Sequence, residues 1–168
     1  MKMVEKQHKH IGIVCGMGLD ATIYLQKKIF EYHDQNCSSC KFPDITFFPV
    51  NLIKIIDYQM YKKFDKYVDY LSECIETLAH CGAEFAVIAA VTPHMVFSEL
   101  QERASIPLLN IIDHSVDAYR KLDSKEILVL ATSHTVKSKI IHKRFSSEKI
   151  NMTFPVKEDQ EMLDHIIY

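Results

Sequence analysis

The feature that most restricts this chain is a recurring unit: a short run of β-branched and aliphatic residues, a polar or glycine-bearing turn, then a stretch with helical apolar spacing. Strand, turn and helix repeated in that order build a mainly parallel sheet flanked by helices, because parallel neighbours need a crossover long enough to hold a helix. Strands are expected near Ile11–Cys15, Ile45–Val50, Phe85–Ala90, Leu108–Ile112, Ile127–Ala131 and Met152–Val156. The helix after the first strand sets Ile23, Leu25, Ile29 and Phe30 on one side, with Gln26, Lys27 and Lys28 interleaved. Spacing also predicts a longer helix over Tyr58–His80, with Phe64, Val68, Leu71, Ile75 and Leu78 as its apolar stripe and Gly82 as the left-handed residue that ends it. That stripe reads as core packing rather than a binding face.

At 168 residues the chain can bury one substantial core or two small ones. The pattern of Ile11–Thr22 is echoed at Ile127–Ser138, each an aliphatic strand, a small-residue turn and a Thr-bearing helix start, which suggests two similar lobes. Twenty basic and 22 acidic residues give a charge of −2 with no long run of one sign, so nucleic acid is not an expected partner. The charged start is followed by too few apolar residues before Gly16 for a signal sequence or a membrane span, so a cytoplasmic protein is expected. Five cysteines, an odd number without a secretory signal, are then expected as reduced thiols. Cys37-Ser-Ser-Cys40 lacks both a second ligand pair and the strand-to-helix setting of a redox pair, so it reads as a loop and no metal is expected.

In a parallel sheet the loops at the carboxyl ends of the strands gather on one edge, and the helices they open point unpaired N–H groups at it. Three such turns are candidates for holding a small anion. The first is Cys15-Gly-Met-Gly-Leu-Asp-Ala-Thr22, where Gly16 and Gly18, two of only four glycines, let backbone approach a ligand. A tight turn that needs glycine for φ alone explains the pair equally well, and the spacing is too short for a dinucleotide fingerprint. The second is Ala89-Ala-Val-Thr-Pro-His94, with Thr92 as the N-cap and Pro93 at the first position of a helix Pro93–Arg103. His94 falls in the first turn, where the helix dipole discourages protonation; it is either a neutral donor to a ligand or a structural histidine. The third, Ala131-Thr-Ser-His-Thr-Val-Lys137, offers Thr132 and Thr135 as donors or as caps.

These segments together resemble the aspartate/glutamate racemase family. Ile11-Gly-Ile-Val-Cys-Gly-Met-Gly-Leu-Asp-Ala-Thr22 is similar to the family's IGIxGGMGPxAT opening, and Gly82-Ala-Glu-Phe-Ala-Val-Ile-Ala-Ala-Val-Thr-Pro-His94 to its GAD-strand-CNTxH segment. Ser105–Asn110, Leu130–Thr135 and Glu158–Glu161 resemble later landmarks, so the likeness covers essentially the whole chain. The resemblance implies an α/β fold with a Rossmann-like lobe, residues 1–104, and a second, similar but incomplete lobe, residues 105–168, without the family's C-terminal part. It implies an acidic amino acid held between the lobes and racemised without a cofactor, one thiol removing the α-proton and another returning it on the opposite face.

By position, Met17 with Gly18, Thr92, and the Thr132 and Thr135 pair are the implied ligand contacts. Ala90 stands where the family has its first thiol, Val91 where it has the Asn that holds the substrate, and the second thiol would lie beyond the point matching Tyr168. Racemisation is therefore expected to be impaired. The substitutes that the sequence offers as acid or base are Cys15 and His94. The alternative is a non-catalytic scaffold that binds a small carboxylate or a partner. The ligand expected is an acidic amino acid or dicarboxylate, and a homodimer is the oligomer to test for.

Overall fold

The structure, a computed structural model, describes residues 9–36, 42–122, 124–148 and 150–167. Cys37 and Cys40, and with them the loop-pair reading, lie outside the described residues. The chain divides into two compact units, Met1–Ala89 with Ser98–Leu109 and Ala90–Phe97 with Asn110–Tyr168. The division therefore differs from a single cut after residue 104. The sheet of the first unit claims Leu108–Leu109 by pairing, whereas Ala90–Phe97 is drawn into the second unit.

In the first unit β1 (Ile11–Cys15), β2 (Ile45–Pro49), β3 (Phe85–Ile88) and β4 (Leu108–Leu109) form one parallel sheet in the order β2-β1-β3-β4. Ile11 pairs with Ile45 on one side and with Phe85 on the other, and Ala86 pairs with Leu108. The central position of β1 explains its unbroken apolar run, since a strand covered on both faces has no polar side to show. The helices are α1 (Leu19–Asn36), α2 (Leu52–Met60), α3 (Phe64–His80) and α4 (Phe97–Arg103), which starts at the junction of the units. A Cβ on Gly12 would meet Leu78 Cβ and Ala83 Cβ, both at 3.0 Å, so α3 packs on β1 only because residue 12 has no side chain. Leu25 and Ile29 of α1 pack on Ile13, Cys15 and Ala89.

The expected stripe on α3 is buried at Val68, Leu71, Ile75 and Leu78. Gly82, at φ 92°, ends the helix: its N–H donates to Ala79 O at 2.9 Å and the next N–H, of Ala83, to Leu78 O at 3.1 Å. The long helix over Tyr58–His80 is in fact two. Asn51 opens α2 by accepting from the Lys54 N–H, and Lys62 turns left-handed, at φ 52°, before α3 begins. Phe64 and Ile23 are exposed rather than in the apolar stripes expected for their helices.

The second unit holds α5 (Ile111–Tyr119), β5 (Glu126–Leu128), α6 (Ser133–Ser138), α7 (Ile140–Phe145), β6 (Asn151–Thr153) and α8 (Lys157–Ile167). β5 and β6 pair in parallel, Ile127 opposite Met152. Ile112, Val116 and Phe145 form its core, with Val91, Ile127 and Met152 among the residues packed on it. The strand expected over Leu108–Ile112 stops at Leu109, because the Asn110 side chain accepts from the N–H groups of Ile112 and Asp113 and starts α5 there. The last two strands are likewise short; Pro155, with no N–H to give a ladder, lies just past β6.

Leu71 is completely buried, so Leu71→Ala is expected to lower the unfolding free energy by about 2–5 kcal/mol. Gly82→Ala, which forces a Cβ into the left-handed region, is expected to cost about 1–2 kcal/mol. Urea denaturation of the two variants beside the unaltered chain measures both.

Candidate functional site

The first turn lies in the first unit. Gly16 has φ 88°, and a Cβ there would meet the backbone nitrogen of Val50 at 3.2 Å and its oxygen at 3.3 Å. The Val50 N–H donates to the Cys15 carbonyl at 2.9 Å. Chain, not ligand, therefore supplies the close approach at Gly16. A Cβ on Gly18, at φ 151°, would meet the Ala21 Cβ at an ordinary contact distance of 3.7 Å, and the Gly18 carbonyl accepts from the N–H and the hydroxyl of Thr22 as α1 begins. Met17 sits half-buried between the two glycines. Cys15 is 5% exposed at the end of β1, and burial pushes its thiol up, away from the thiolate that a base needs.

The remaining candidates belong to the second unit. Ala90 presents only a methyl group, half-buried, and Val91 packs on the core of Ile112, Val116 and Phe145. Thr92 is not the N-cap that its sequence position suggests. Val91 holds that place without a side-chain bond, and a 3₁₀ turn, Thr92–Val96, precedes α4. The Thr92 hydroxyl is thereby free to meet the Thr135 hydroxyl at 2.7 Å. Thr135 in turn lies 3.0 Å from the Thr132 hydroxyl, which caps α6 by accepting the Thr135 N–H at 3.3 Å.

This cluster has a fixed proton count. Three hydroxyls carry three protons, and the two hydroxyl–hydroxyl contacts use two, one per bond, so one O–H remains to be donated outward. Thr135 is 4% exposed and sits between the other two, whereas Thr92 and Thr132 are half-buried. When the outward proton is on either end of the chain, a carboxylate oxygen or water there accepts it.

His94 has the properties of an anchor. It is 4% exposed, its ring stacks on Phe97 at 5.3 Å, and its Nε2 accepts the Ile111 N–H at 3.3 Å, at the start of α5. Accepting through Nε2 leaves the proton of the neutral ring on Nδ1. Burial holds the ring below its ordinary pKa and outweighs the opposite pull of the Ala90 and Val91 carbonyls and of Asp113. The only nitrogen with a free lone pair is thus committed to backbone.

Gln160 and Asp164 of α8 were not singled out individually by sequence, yet they join this turn. Asp164 accepts the Ser133 N–H at 2.8 Å, and Gln160 donates to the Ala131 carbonyl at 2.9 Å. Their spacing of four on a helix was the available signal, but nothing local says what such a pair faces. A cavity of about 380 Å³ in the same unit is walled by residues including Ser133, Lys137, Phe154, Lys157, Gln160 and Asp164. Among the described residues, no three His, Cys, Asp or Glu side chains gather to hold a metal ion, and no helix is long and apolar enough to cross a membrane.

The folded state resists protonating His94, whereas the unfolded chain takes up that proton below about 6.5. His94 therefore contributes stability that is complete above about 6.5 and declines as the pH falls below it. The thermal midpoint is expected to drop more between pH 7.5 and pH 5.5 in the unaltered chain than in His94→Gln; equal drops would refute this account.

The Asp/Glu/Hydantoin racemase family model matches residues 14–167. The broad specificity amino-acid racemase RacX of Bacillus subtilis (strain 168) is 24% identical over 140 residues, which are 79% of this chain; the chain spans 59% of that relative's length. The crystal structure of an aspartate racemase homologue from Pyrococcus horikoshii OT3 is 26% identical with a TM-score of 0.79, covering 95% of this chain and 70% of that one. A putative Asp/Glu racemase from Yersinia pestis shares the fold at a TM-score of 0.82 and 24% identity, with the same two coverages.

Proposed function

Since the chain belongs to the Asp/Glu/Hydantoin racemase family, we propose that it holds a small acidic amino acid or dicarboxylate on its threonine hydroxyls without racemising it. The observation that carries this reading is the cluster of Thr92, Thr135 and Thr132, with one O–H left to donate, standing beside a residue 90 that is alanine. Racemisation by two bases needs one on each face of Cα. A methyl group at residue 90 removes no proton, and Val91, turned into the core, holds no substrate.

The competing reading, catalysis through Cys15 or His94, meets a physical obstacle at each residue. The thiol of Cys15 is buried and kept protonated, and the Nε2 of His94 is occupied by the Ile111 N–H. Cys74 fares no better, its thiol pushed up to about 11, chiefly by burial. On the proposed reading no cofactor takes part, and the protein works in the cytoplasm, where Cys15, Cys74 and Cys81 stay free. Pairing of two copies is favoured by the exposed Ile53, Met60 and Tyr61 on and after α2, and light scattering checks it.

The test has two arms. A ligand that binds only folded protein raises the unfolding midpoint, by about 3–5 °C at ten times its dissociation constant for a chain of this size. Such a rise is expected with at least one of L-aspartate, D-aspartate, L-glutamate and D-glutamate, and it should shrink in Thr135→Val. In heavy water the unaltered chain is expected to leave the α-proton of the bound amino acid unexchanged, and Ala90→Cys to bring slow exchange. No midpoint shift with any of the four compounds would sink the binding claim; exchange by the unaltered chain would sink the claim of inactivity.

A further inference from the structure

The turn that carries Thr132 is held by α8. Gln160 Nε2 donates to the Ala131 carbonyl at 2.9 Å and to Asp164 Oδ1 at 3.2 Å, and that same oxygen accepts the Ser133 N–H at 2.8 Å. Residues 160 and 164 are one helical turn apart, so a single face of α8 reaches the backbone on both sides of Thr132. Hydrogen bonds from Ser133, the backbone one first, hold the Asp164 carboxyl below the usual range, so it stays ionised as it grips. Little else ties this helix down. None of its described side chains is fully buried, and Met162 and Ile166 are exposed. Its polar grip on residues 131–133 therefore stands out against a weak apolar one.

We infer that Gln160 and Asp164 are positioning residues for the threonine site. By clamping the peptide groups that flank Thr132, they fix where its hydroxyl points and, through the contact of Thr132 with Thr135, how the hydroxyl chain is ordered. Neither residue needs to touch the ligand. The inference rests on the ligand-binding reading above and adds to it the residues that order the site.

The two functions of Asp164, hydrogen-bond acceptance and charge, separate by substitution. Asp164→Asn keeps an oxygen for the Ser133 N–H and for Gln160 but loses the negative charge. Asp164→Ala loses both. Gln160→Met keeps the length and loses the two donated bonds. Titration calorimetry with L- and D-aspartate and glutamate, on whichever of these the unaltered chain binds, is expected to show affinity weakened by about fivefold in Asp164→Ala, the equilibrium effect of one net hydrogen bond. Asp164→Asn is expected to bind at least as tightly as the unaltered chain, because acceptance is restored and one like charge near an anionic ligand is gone. Should Asp164→Ala fail to fold, Gln160→Met decides in its place, with a loss of similar size expected. Affinity unchanged in Asp164→Ala or Gln160→Met, or lost equally in Asp164→Asn, overturns the clamp while leaving the binding reading intact. An unaltered chain that binds none of the four compounds overturns both.

Discussion

The second unit depends on how eight residues leave the parallel sheet. Ala89 is still tied to it, its N–H donating to the Val14 carbonyl at 2.9 Å. Between Ala90 and Phe97 three side chains are then committed elsewhere: Val91 to the core around Val116, Thr92 to Thr135, His94 to the start of α5. Each of these anchors is buried or half-buried, where an unmet polar group is costly, so the segment has little freedom to adopt another path. Ser98–Leu109 then returns to complete the first sheet with β4.

This threading also explains why the candidate site is built from hydroxyls and not from ionisable groups. The sequence places a cysteine at the end of β1 and a histidine at the first helical turn, both suited in principle to proton transfer. In the folded chain each lies where water is excluded and where its reactive atom is either protonated or bonded to backbone. Burial that strengthens packing disfavours charge on the same side chain, and here packing prevails. Threonine suffers no such conflict. Its hydroxyl can be satisfied by another hydroxyl and still hold a proton for a third partner.

The parts of the fold that were legible in sequence are those set by local rules. The strand over Ile11–Cys15, the helix after it, the apolar stripe of α3 and the Gly82 stop all follow from periodicity and from the conformational freedom of one glycine. Where local signals competed, sequence misjudged the winner. Asn110 outweighs the β-branched pair Ile111-Ile112 because a side-chain oxygen accepting two N–H groups nucleates α5 at once, which cuts β4 to two residues. Asn51 opens α2 by accepting one N–H, that of Lys54, and the left-handed Lys62, unremarkable as a sequence position, divides the helix expected over Tyr58–His80.

By itself, then, the sequence determined the α/β class, the family, and which residue types stand at the ends of the strands, because those depend on neighbours within a few positions and on an ordered set of motifs. Only the tertiary structure decided what those residues do. That Thr92 gives up its cap to join Thr135, that the backbone of Val50 fills the space beside Gly16, and that Gln160 and Asp164 hold the peptide groups flanking Thr132 are contacts across 43, 34 and about 30 positions of chain. No propensity encodes such pairings, since each is fixed by where packing and backbone hydrogen bonds have already placed both partners.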